Sequence, residues 1–430
     1  MPGLDQPLSD EEAAELLAPL RAFAHVALAV SGGPDSCGLM ALAARWAGAW
    51  ADAPEITVLT IDHGLRPEAA EEARRVCAQA GRLGLPCHVL RWEGEKPRSG
   101  VQAAARAARY DLLGAWCAAR GAALVVAHTM EDQAETLLMR LARGSGVDGL
   151  AGMAEQGLLP GHPVTLLRPL LGVAKARLAA TARAAGLEPV DDPSNSNAAY
   201  ERVRMRALLE ELSAHGLDAR ALARTARRQR RARAALERWR ANFLKAHLTC
   251  HDPGWGEVAL MPLLDLPEEV RLRVLMALAE IFGAGHAPAL AAGERLERWL
   301  VGGKGAARVL GGARFSRRRA SLIIGREPGR LLATARLMEG KWSVSWDNRF
   351  LITTGGARGE MRVRALKDVS GEGLPERPGD IPAFVWATQP VLCADERVLA
   401  LPALGWLAEK SGLTMARAEF TGWKRGGFHG

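Results

Sequence analysis

No uninterrupted apolar run in the sequence reaches the roughly 18–20 residues that a membrane-spanning helix requires. The N-terminal stretch MPGLDQPLSDEEAAELL is acidic and carries no basic segment ahead of an apolar one, so no signal peptide is expected. None of the six cysteines forms a C-x-x-C pair, which indicates neither a zinc clip nor a redox dithiol. Such cysteine usage is typical of a reducing compartment, and we expect a cytoplasmic protein with no membrane partner.

Lysine is also scarce, since only eight of the 56 basic residues are lysine. The charge is unevenly distributed along the chain. Residues 1–215 carry 21 Lys and Arg against 26 Asp and Glu, whereas the remainder carries 35 against 22. The basic remainder predicts a polyanionic partner such as nucleic acid. A GC-rich genome, which favours arginine and alanine everywhere, is the alternative explanation.

Short apolar runs alternate with amphipathic segments over residues 1–190, which predicts an α/β fold with a doubly wound parallel five-stranded sheet. The predicted strands are Val26–Val30, Ile56–Ile61, Cys87–Trp92, Leu124–Ala127 and Val164–Leu167. Uninterrupted helical periodicity over 217–248 and a Gly-punctuated hairpin near Arg317 predict a mainly helical second domain. Short β runs after 333, including 383–386, predict a small, mostly β third domain. The predicted domain limits are 1–215, 216–330 and 331–430.

The segment AVSGGPDS follows the first predicted strand and opens a helix. Its glycines allow a sharp turn, and the helix N-terminus presents unpaired N–H groups, which together favour a pyrophosphate. Asp35 is an acid where an anion should bind, so we expect it to hold Mg²⁺. The predicted phosphate-loop residues are Ser31, Gly32, Gly33, Pro34, Asp35 and Ser36.

The loop is neither a Walker A loop nor G-x-G-x-x-G, because it has no lysine and the wrong glycine spacing. It resembles the PP-loop of the ATP pyrophosphatases, which cleave ATP between the α and β phosphates and adenylate a substrate. Four later segments resemble one family of that group, the tRNA(Ile)-lysidine synthases. They are TIDHGLRPEA, VQAAARAARYDLL, AHTMEDQAETLLMRLARGSGVDGLAGM and VDDPSNSNAAYERVRMR. The likeness is strong over residues 20–210, loose over 215–330 and weak beyond 333.

These segments place further candidates at the carboxyl ends of strands or on adjacent helices. Asp62, His63 and His128 are predicted to contact the nucleotide, and Asp132 to share Mg²⁺ with Asp35. Arg202 and Arg206 are predicted to stabilise charge that develops during adenylation. The predicted substrate-binding residues are Arg106, Arg109, Glu135, Arg227, Arg228, Arg230 and Arg231.

The resemblance implies a ligase that uses ATP and Mg²⁺ to join L-lysine to C2 of the wobble cytidine in the CAU anticodon of tRNA(Ile). An adenylated cytidine would be the intermediate, and AMP and pyrophosphate the products. Two alternatives stay open: another PP-loop enzyme acting on RNA, such as a tRNA thiolase, and a non-catalytic nucleotide-sensing RNA-binding protein. The sequence leaves a homodimer open.

Two positions depart from the family pattern. Glu131 stands where an aspartate is usual, so the geometry of a metal there is uncertain, and Val203 replaces an asparagine. The arginine-rich helix also has a plain alternative, which is an ordinary solvated face.

Overall fold

The computed structural model describes residues 5–50, 52–65, 68–94, 96–97, 99–190, 201–283, 285, 287–338, 343–356, 359–370, 374–409 and 411–422. Arg66 and the 191–200 part of the fourth family-like segment lie outside these residues. Internal contacts divide the chain into two compact units, Met1–Arg233 (unit 1) and Ala234–Gly430 (unit 2). The three-domain division remains a prediction.

Unit 1 is built on one sheet with the strand order β3-β2-β1-β4-β6-β5. Its strands are β1 (His25–Ala29), β2 (Glu55–Asp62), β3 (Cys87–Arg91), β4 (Ala123–Val126), β5 (Gln156–Leu158) and β6 (Thr165–Leu167). The five predicted strands all form and run parallel, with Val26 opposite both Ile56 and Ala123. The predicted strand number was wrong, because β5 adds a sixth, antiparallel strand beside β6.

The helices of unit 1 lie between and beyond these strands. They are α1 (Asp10–Leu17), α2 (Pro34–Gly48), α3 (Ala69–Arg82), α4 (Val101–Arg120), α5 (Met130–Ala142), α6 (Val147–Leu150), α7 (Lys175–Ala184) and α8 (Glu201–Ser213). The Ser9 and Glu12 side chains form the capping box of α1. Helices α2 and α7 approach closely at Gly38, where an added Cβ would lie 2.6 Å from the Leu178 carbonyl oxygen.

Both faces of the sheet are buried, as the near-continuous apolar strands predict. Leu28 and Val58 point into a cluster with Leu39 and Leu178, whereas Leu59 and its neighbours point into a second cluster on the other face. The helices on the two faces therefore hold the carboxyl ends of the parallel strands at one edge, where the candidate side chains project.

A disulfide joins Cys77 on α3 to Cys87, the first residue of β3. The sequence did not indicate this bond, because the two cysteines are ten residues apart and have no motif spacing. Their proximity comes from the turn between α3 and β3, which brings the end of the helix back to the start of the next strand.

Unit 2 contains the second half of helix α9 and, in its described residues, three antiparallel sheets. The remaining helices are α9 (Ala219–His247), α10 (Leu260–Leu264), α11 (Glu268–Phe282), α12 (Leu290–Gly302) and α13 (Ala383–Trp386). The sheets are ordered β7-β8-β11-β10-β9, β12-β15-β16-β17-β18 and β13-β14-β19. Their strands are β7 (Leu248–His251), β8 (Trp255–Ala259), β9 (Ala307–Leu310), β10 (Ala313–Arg317), β11 (Ser321–Arg326), β12 (Ala335–Leu337), β13 (Ser343–Trp346), β14 (Phe350–Gly355), β15 (Met361–Ala365), β16 (Pro390–Ala394), β17 (Arg397–Leu401), β18 (Trp406–Leu407) and β19 (Met415–Phe420).

The predicted hairpin is confirmed as β10 and β11, which pair antiparallel around Arg318 and Arg319. It belongs to a five-stranded sheet, which the sequence did not indicate. The predicted strand at 383–386 was wrong, because this segment is a short helix that starts after Pro382 and buries Val385.

One apolar cluster runs through unit 2 and includes Phe282, Phe315, Phe350 and Phe420. Beside it, the fully buried Asp347 carboxylate pairs with Arg326 at 2.8 Å and with Arg349 at 2.6 Å. Within the described residues, we find no helix whose length and apolar character would let it cross a bilayer.

Candidate active site

The phosphate loop joins β1 to α2 and is closed by its own hydroxyl groups. The Ser36 hydroxyl accepts a hydrogen bond from Ser31 N at 3.2 Å and donates one to the Gly33 carbonyl at 2.9 Å. Gly32 has a φ of 87°, a region that favours glycine, and an added Cβ would lie 3.3 Å from Val76 Cγ2. The loop and the start of α2 thus form a compact site suited to an anion.

Asp35 and Asp132 converge on the ammonium group of Lys175. Lys175 Nζ lies 3.3 Å from Asp35 Oδ2 and 3.3 Å from Asp132 Oδ1. Asp132 is oriented by a capping box at the start of α5, where Thr129 N donates to its Oδ2 at 2.9 Å. The structure therefore brings together the two predicted metal carboxylates, and between them it places a cation that the sequence analysis missed.

Burial and the pairing of opposite charges shift the pKa values of this cluster in opposite directions. Burial raises the pKa of Asp35, and the neighbouring Asp132 adds to this effect while Lys175 opposes it. The pKa of Asp132 is lowered, because Lys175 and the Thr129 hydrogen bonds outweigh the effect of burial. Burial disfavours the charged form of Lys175, but Asp132, Asp35 and Glu135 together raise its pKa. Lys175 is therefore a charged ammonium at neutral pH.

The two glutamates of α5 have different partners. Both Glu131 carboxylate oxygens accept from Lys175 N, at 3.1 and 3.2 Å, so Glu131 caps the N-terminus of α7. Burial raises its pKa. Glu135 is fully buried and accepts from Arg206 Nε at 3.1 Å, while its Oε2 atom has no hydrogen-bond partner among the described residues. Buried acceptors without a partner are unusual in proteins, and an N–H group of a ligand would satisfy this one.

Asp62 and His63 lie at the end of β2, as predicted, and His128 follows β4. Asp62 Oδ1 accepts from Gly64 N at 3.0 Å, which folds the loop back on the strand. Burial lowers the pKa of His63, and Arg109 lowers it further. Burial also lowers the pKa of His128 to about 4, so this imidazole is neutral at pH 7. Neither Nδ1 atom has a hydrogen-bond partner in the described part of the chain.

Several arginines lie close enough to these histidines to influence their titration. Arg109 acts on His63, and Arg106, Arg168 and Arg202 act on His128. Arg106 also contacts the Tyr110 ring, with 5.0 Å between its guanidinium carbon and the ring centroid. The predicted residues Arg106 and Arg202 therefore share one neighbourhood at the carboxyl edge of the sheet.

Sequence reasoning missed Lys175 and Arg168. Both follow the last parallel strand, and Arg168 comes directly after β6. Lys175 carried a usable signal, since a positive side chain in the first turn of a helix opposes the helix dipole and needs a compensating reason. Arg168 is half-buried, donates to the Ala154 carbonyl at 3.0 Å, and keeps its Nε atom unpaired among the described residues.

The donor set fits a magnesium ion that is shared with a substrate. The described residues contain no group of three or more His, Cys, Asp or Glu side chains that could hold a metal ion. Mg²⁺ with phosphates usually needs only one or two protein carboxylates. Asp35 and Asp132 supply two that already converge on one cation.

The six arginines of α9 from Arg224 to Arg233 fall into two sets. Arg230 pairs with Glu155 at 2.7 Å and Arg233 with Asp148 at 3.0 Å. The exposed side chains of Arg224, Arg227, Arg228 and Arg231 have no ion pair or hydrogen bond among the described residues. Three of the four predicted RNA contacts therefore lie on a free basic face, and the fourth, Arg230, binds an acid of unit 1.

The sheet, the loop and the two carboxylates beside it define a PP-loop protein that binds ATP. In agreement, a family model described as a PP-loop domain matches residues 6–212. The tRNA(Ile)-lysidine synthase of Bradyrhizobium diazoefficiens is 49% identical over 65% of this chain and 79% of its own length. That of a Methylobacterium species is 46% identical over 76% of this chain and 96% of its own length. This chain belongs to the tRNA(Ile)-lysidine synthase family, which confirms the resemblance.

Proposed function

We propose that this protein joins L-lysine to C2 of the wobble cytidine in a CAU-bearing tRNA(Ile). The C2 oxygen attacks the α-phosphorus of ATP and pyrophosphate leaves. The lysine ε-amine then attacks C2, loses a proton, and AMP leaves with the former C2 oxygen. The observation that carries the proposal is the placement of an acid–ammonium cluster directly beside a closed phosphate loop, in a member of this family.

The phosphate loop and Lys175 would bind the polyphosphate of ATP. The N-terminus of α2 supplies backbone N–H groups, and the Ser31 and Ser36 hydroxyls adjoin it. Asp35 and Asp132 would hold Mg²⁺, which neutralises charge on the departing pyrophosphate. When ATP and Mg²⁺ bind, the Lys175 side chain would turn its ammonium group from the two carboxylates to the phosphates.

The buried polar groups at the sheet edge would bind the nucleosides and the amino acid. His63 and Asp62, at the end of β2, would contact the nucleotide together with the neutral His128. Arg202 and Arg206 would stabilise negative charge on the α-phosphate. Glu135 would bind an amino group of lysine through Oε2, with Arg106 and Arg109 on the anionic groups of the substrates.

The RNA would lie on the free face of α9. Arg227, Arg228 and Arg231 are exposed there without acidic partners among the described residues, which suits contacts to backbone phosphates. Because the proposed substrates, tRNA and ATP, are present in the cytoplasm, we place the reaction there.

Incorporation of labelled lysine into tRNA(Ile) with a CAU anticodon, in the presence of ATP and Mg²⁺, tests the proposal. Methionine tRNA serves as the RNA control. Asp35→Asn should abolish AMP release while the protein stays folded, and the exposed Asp52→Asn is the matched control. Release of AMP without lysine on the RNA would refute lysidine formation and favour another reaction of the PP-loop group.

A further inference from the structure

An exposed tryptophan interrupts the basic face of α9. Trp239 is 49% exposed, whereas Trp46, Trp255, Trp299 and Trp346 are buried. It borders a depression of about 500 Å³ in unit 2. The lining residues are Ala234, Ala235, Arg238, Trp239 and Asn242.

The position of Trp239 on the helix explains its exposure. Phe243 and Leu244, on the next turn, are buried in the apolar cluster of unit 2, and Arg240 turns towards Glu237, with 2.9 Å between their charged atoms. The depression occupies the solvent side, where Ala234 and Ala235 leave room beside the indole. Arg238 makes no ion pair or hydrogen bond within the described part of the chain. An aromatic face, a free guanidinium and an amide thus lie side by side along one face of α9, and we call this depression the notch.

We propose that this notch binds an unpaired nucleotide of the RNA substrate. The base stacks on the Trp239 indole, the Asn242 amide faces the base edge, and Arg238 binds the adjoining phosphate. The proposal rests on the proposed function, because that function requires an RNA ligand. It adds a nucleobase site at some distance along the chain from the phosphate loop.

Charge identifies the occupant as RNA. The lining residues include a cation and no acid, and the same helix face continues to the exposed Arg231 and Lys245. A second copy of this chain, packed here around a two-fold axis, would place Arg238 and its neighbours against like charges. An anionic, aromatic ligand satisfies both the guanidinium and the indole.

Filter binding of a tRNA(Ile) transcript to the full-length protein tests the site. Trp239→Ala should weaken binding by roughly 5- to 100-fold without changing the salt slope, because stacking releases no counterions. Trp239→Phe should stay within roughly threefold of the natural protein, since phenylalanine keeps a stacking face. Arg238→Gln should lower the salt slope by about one. Trp50→Ala, which removes another exposed tryptophan, should bind normally.

Lysine incorporation separates this inference from the proposed function. Trp239→Ala should raise KM for tRNA and leave kcat unchanged at saturating RNA. Normal RNA affinity in Trp239→Ala, with lysine incorporation intact in the natural protein, overturns the nucleobase site alone. A change of oligomeric state in sedimentation, without loss of RNA affinity, also overturns it and makes the notch an interface between copies. Failure of the natural protein to incorporate lysine counts against the proposed function instead.

Discussion

Replacing Lys175 with methionine should make the thermal stability of unit 1 depend on Mg²⁺ bound at Asp35 and Asp132. The variant keeps the length of the side chain but removes the ammonium that Asp35 and Asp132 share. Two carboxylates that are 24% and 12% exposed then face each other without the ammonium group between them. Mg²⁺ has the charge and the preference for carboxylate oxygens to take the vacated place.

The size of the effect follows from the geometry. Opposite unit charges at 3.3 Å attract by about 5 kcal/mol at an effective dielectric of about 20, before desolvation is counted. Removing one partner of a buried pair typically costs about 3–5 kcal/mol. Because the Lys175 side chain is 31% exposed, we expect about 2–3 kcal/mol. For a unit of this size, that lowers Tm by about 4–12 °C.

Thermal unfolding in EDTA and in increasing Mg²⁺, without nucleotide, measures this effect. Lys175→Met should melt low in EDTA and recover as Mg²⁺ is added, whereas the natural protein should respond little. Arg183→Met, an exposed change on the same helix α7, controls for the loss of a surface cation. A variant that melts like the natural protein in EDTA and ignores Mg²⁺ would refute the convergence of the two carboxylates on one cation site.

Three further predictions concern stability. Because the pKa of His128 falls from 6.5 to about 4, stability from the neutral imidazole is present above pH 6.5 and is lost towards pH 4. The loss amounts to at most about 1.4 kcal/mol per pH unit. In urea unfolding, the free energy of unfolding of His128→Gln should vary less with pH than that of the natural protein. Parallel pH profiles of the two proteins would contradict this. Gly38→Ala should destabilise by about 1–3 kcal/mol by pushing against Leu178. Gly48→Ala on the same helix, with open space around it, should be neutral or stabilising; equal effects of the two glycine variants would count against the close packing of α2 on α7. Asp347→Asn should lower the free energy of unfolding of unit 2 by about 3–5 kcal/mol in urea. The control Asp395→Asn, at an exposed turn residue, should lower it little. Equal stabilities of the two variants would argue against the buried ion pairs.

The sequence predicted best those elements whose structure is determined by their own residues and not by contacts with distant segments. Strand β1 follows from an uninterrupted apolar pattern, helix α9 from uninterrupted helical periodicity, and the phosphate loop from a local motif. Strand β5 escaped prediction because its three residues, Gln156–Leu158, are exposed and contain a glycine. Pairing with β6, and not local preference, makes this segment a strand.

The candidate site shows the same division. Asp35 and Asp132 could be found because each follows a strand in a recognisable segment. Lys175 lies 140 and 43 positions away from them, and no local pattern pairs a lysine with those acids. The packing of α7 against α2 and the Glu131 cap from α5 bring them together. The pairing of Arg230 with Glu155 could not be predicted for the same reason, because no local sequence pattern links the two residues.

The boundary between the two units, at Arg233 and Ala234, falls within the continuous helix α9. Isolating either unit by truncation therefore means cutting a helix between two of its turns. A fragment that ended at Arg233 would gain a new helix C-terminus rich in arginine, which the helix dipole favours. A fragment that began at Ala234 would start with a first turn of uncapped N–H groups and no capping side chain. Its expression would benefit from a serine or aspartate introduced ahead of Ala234.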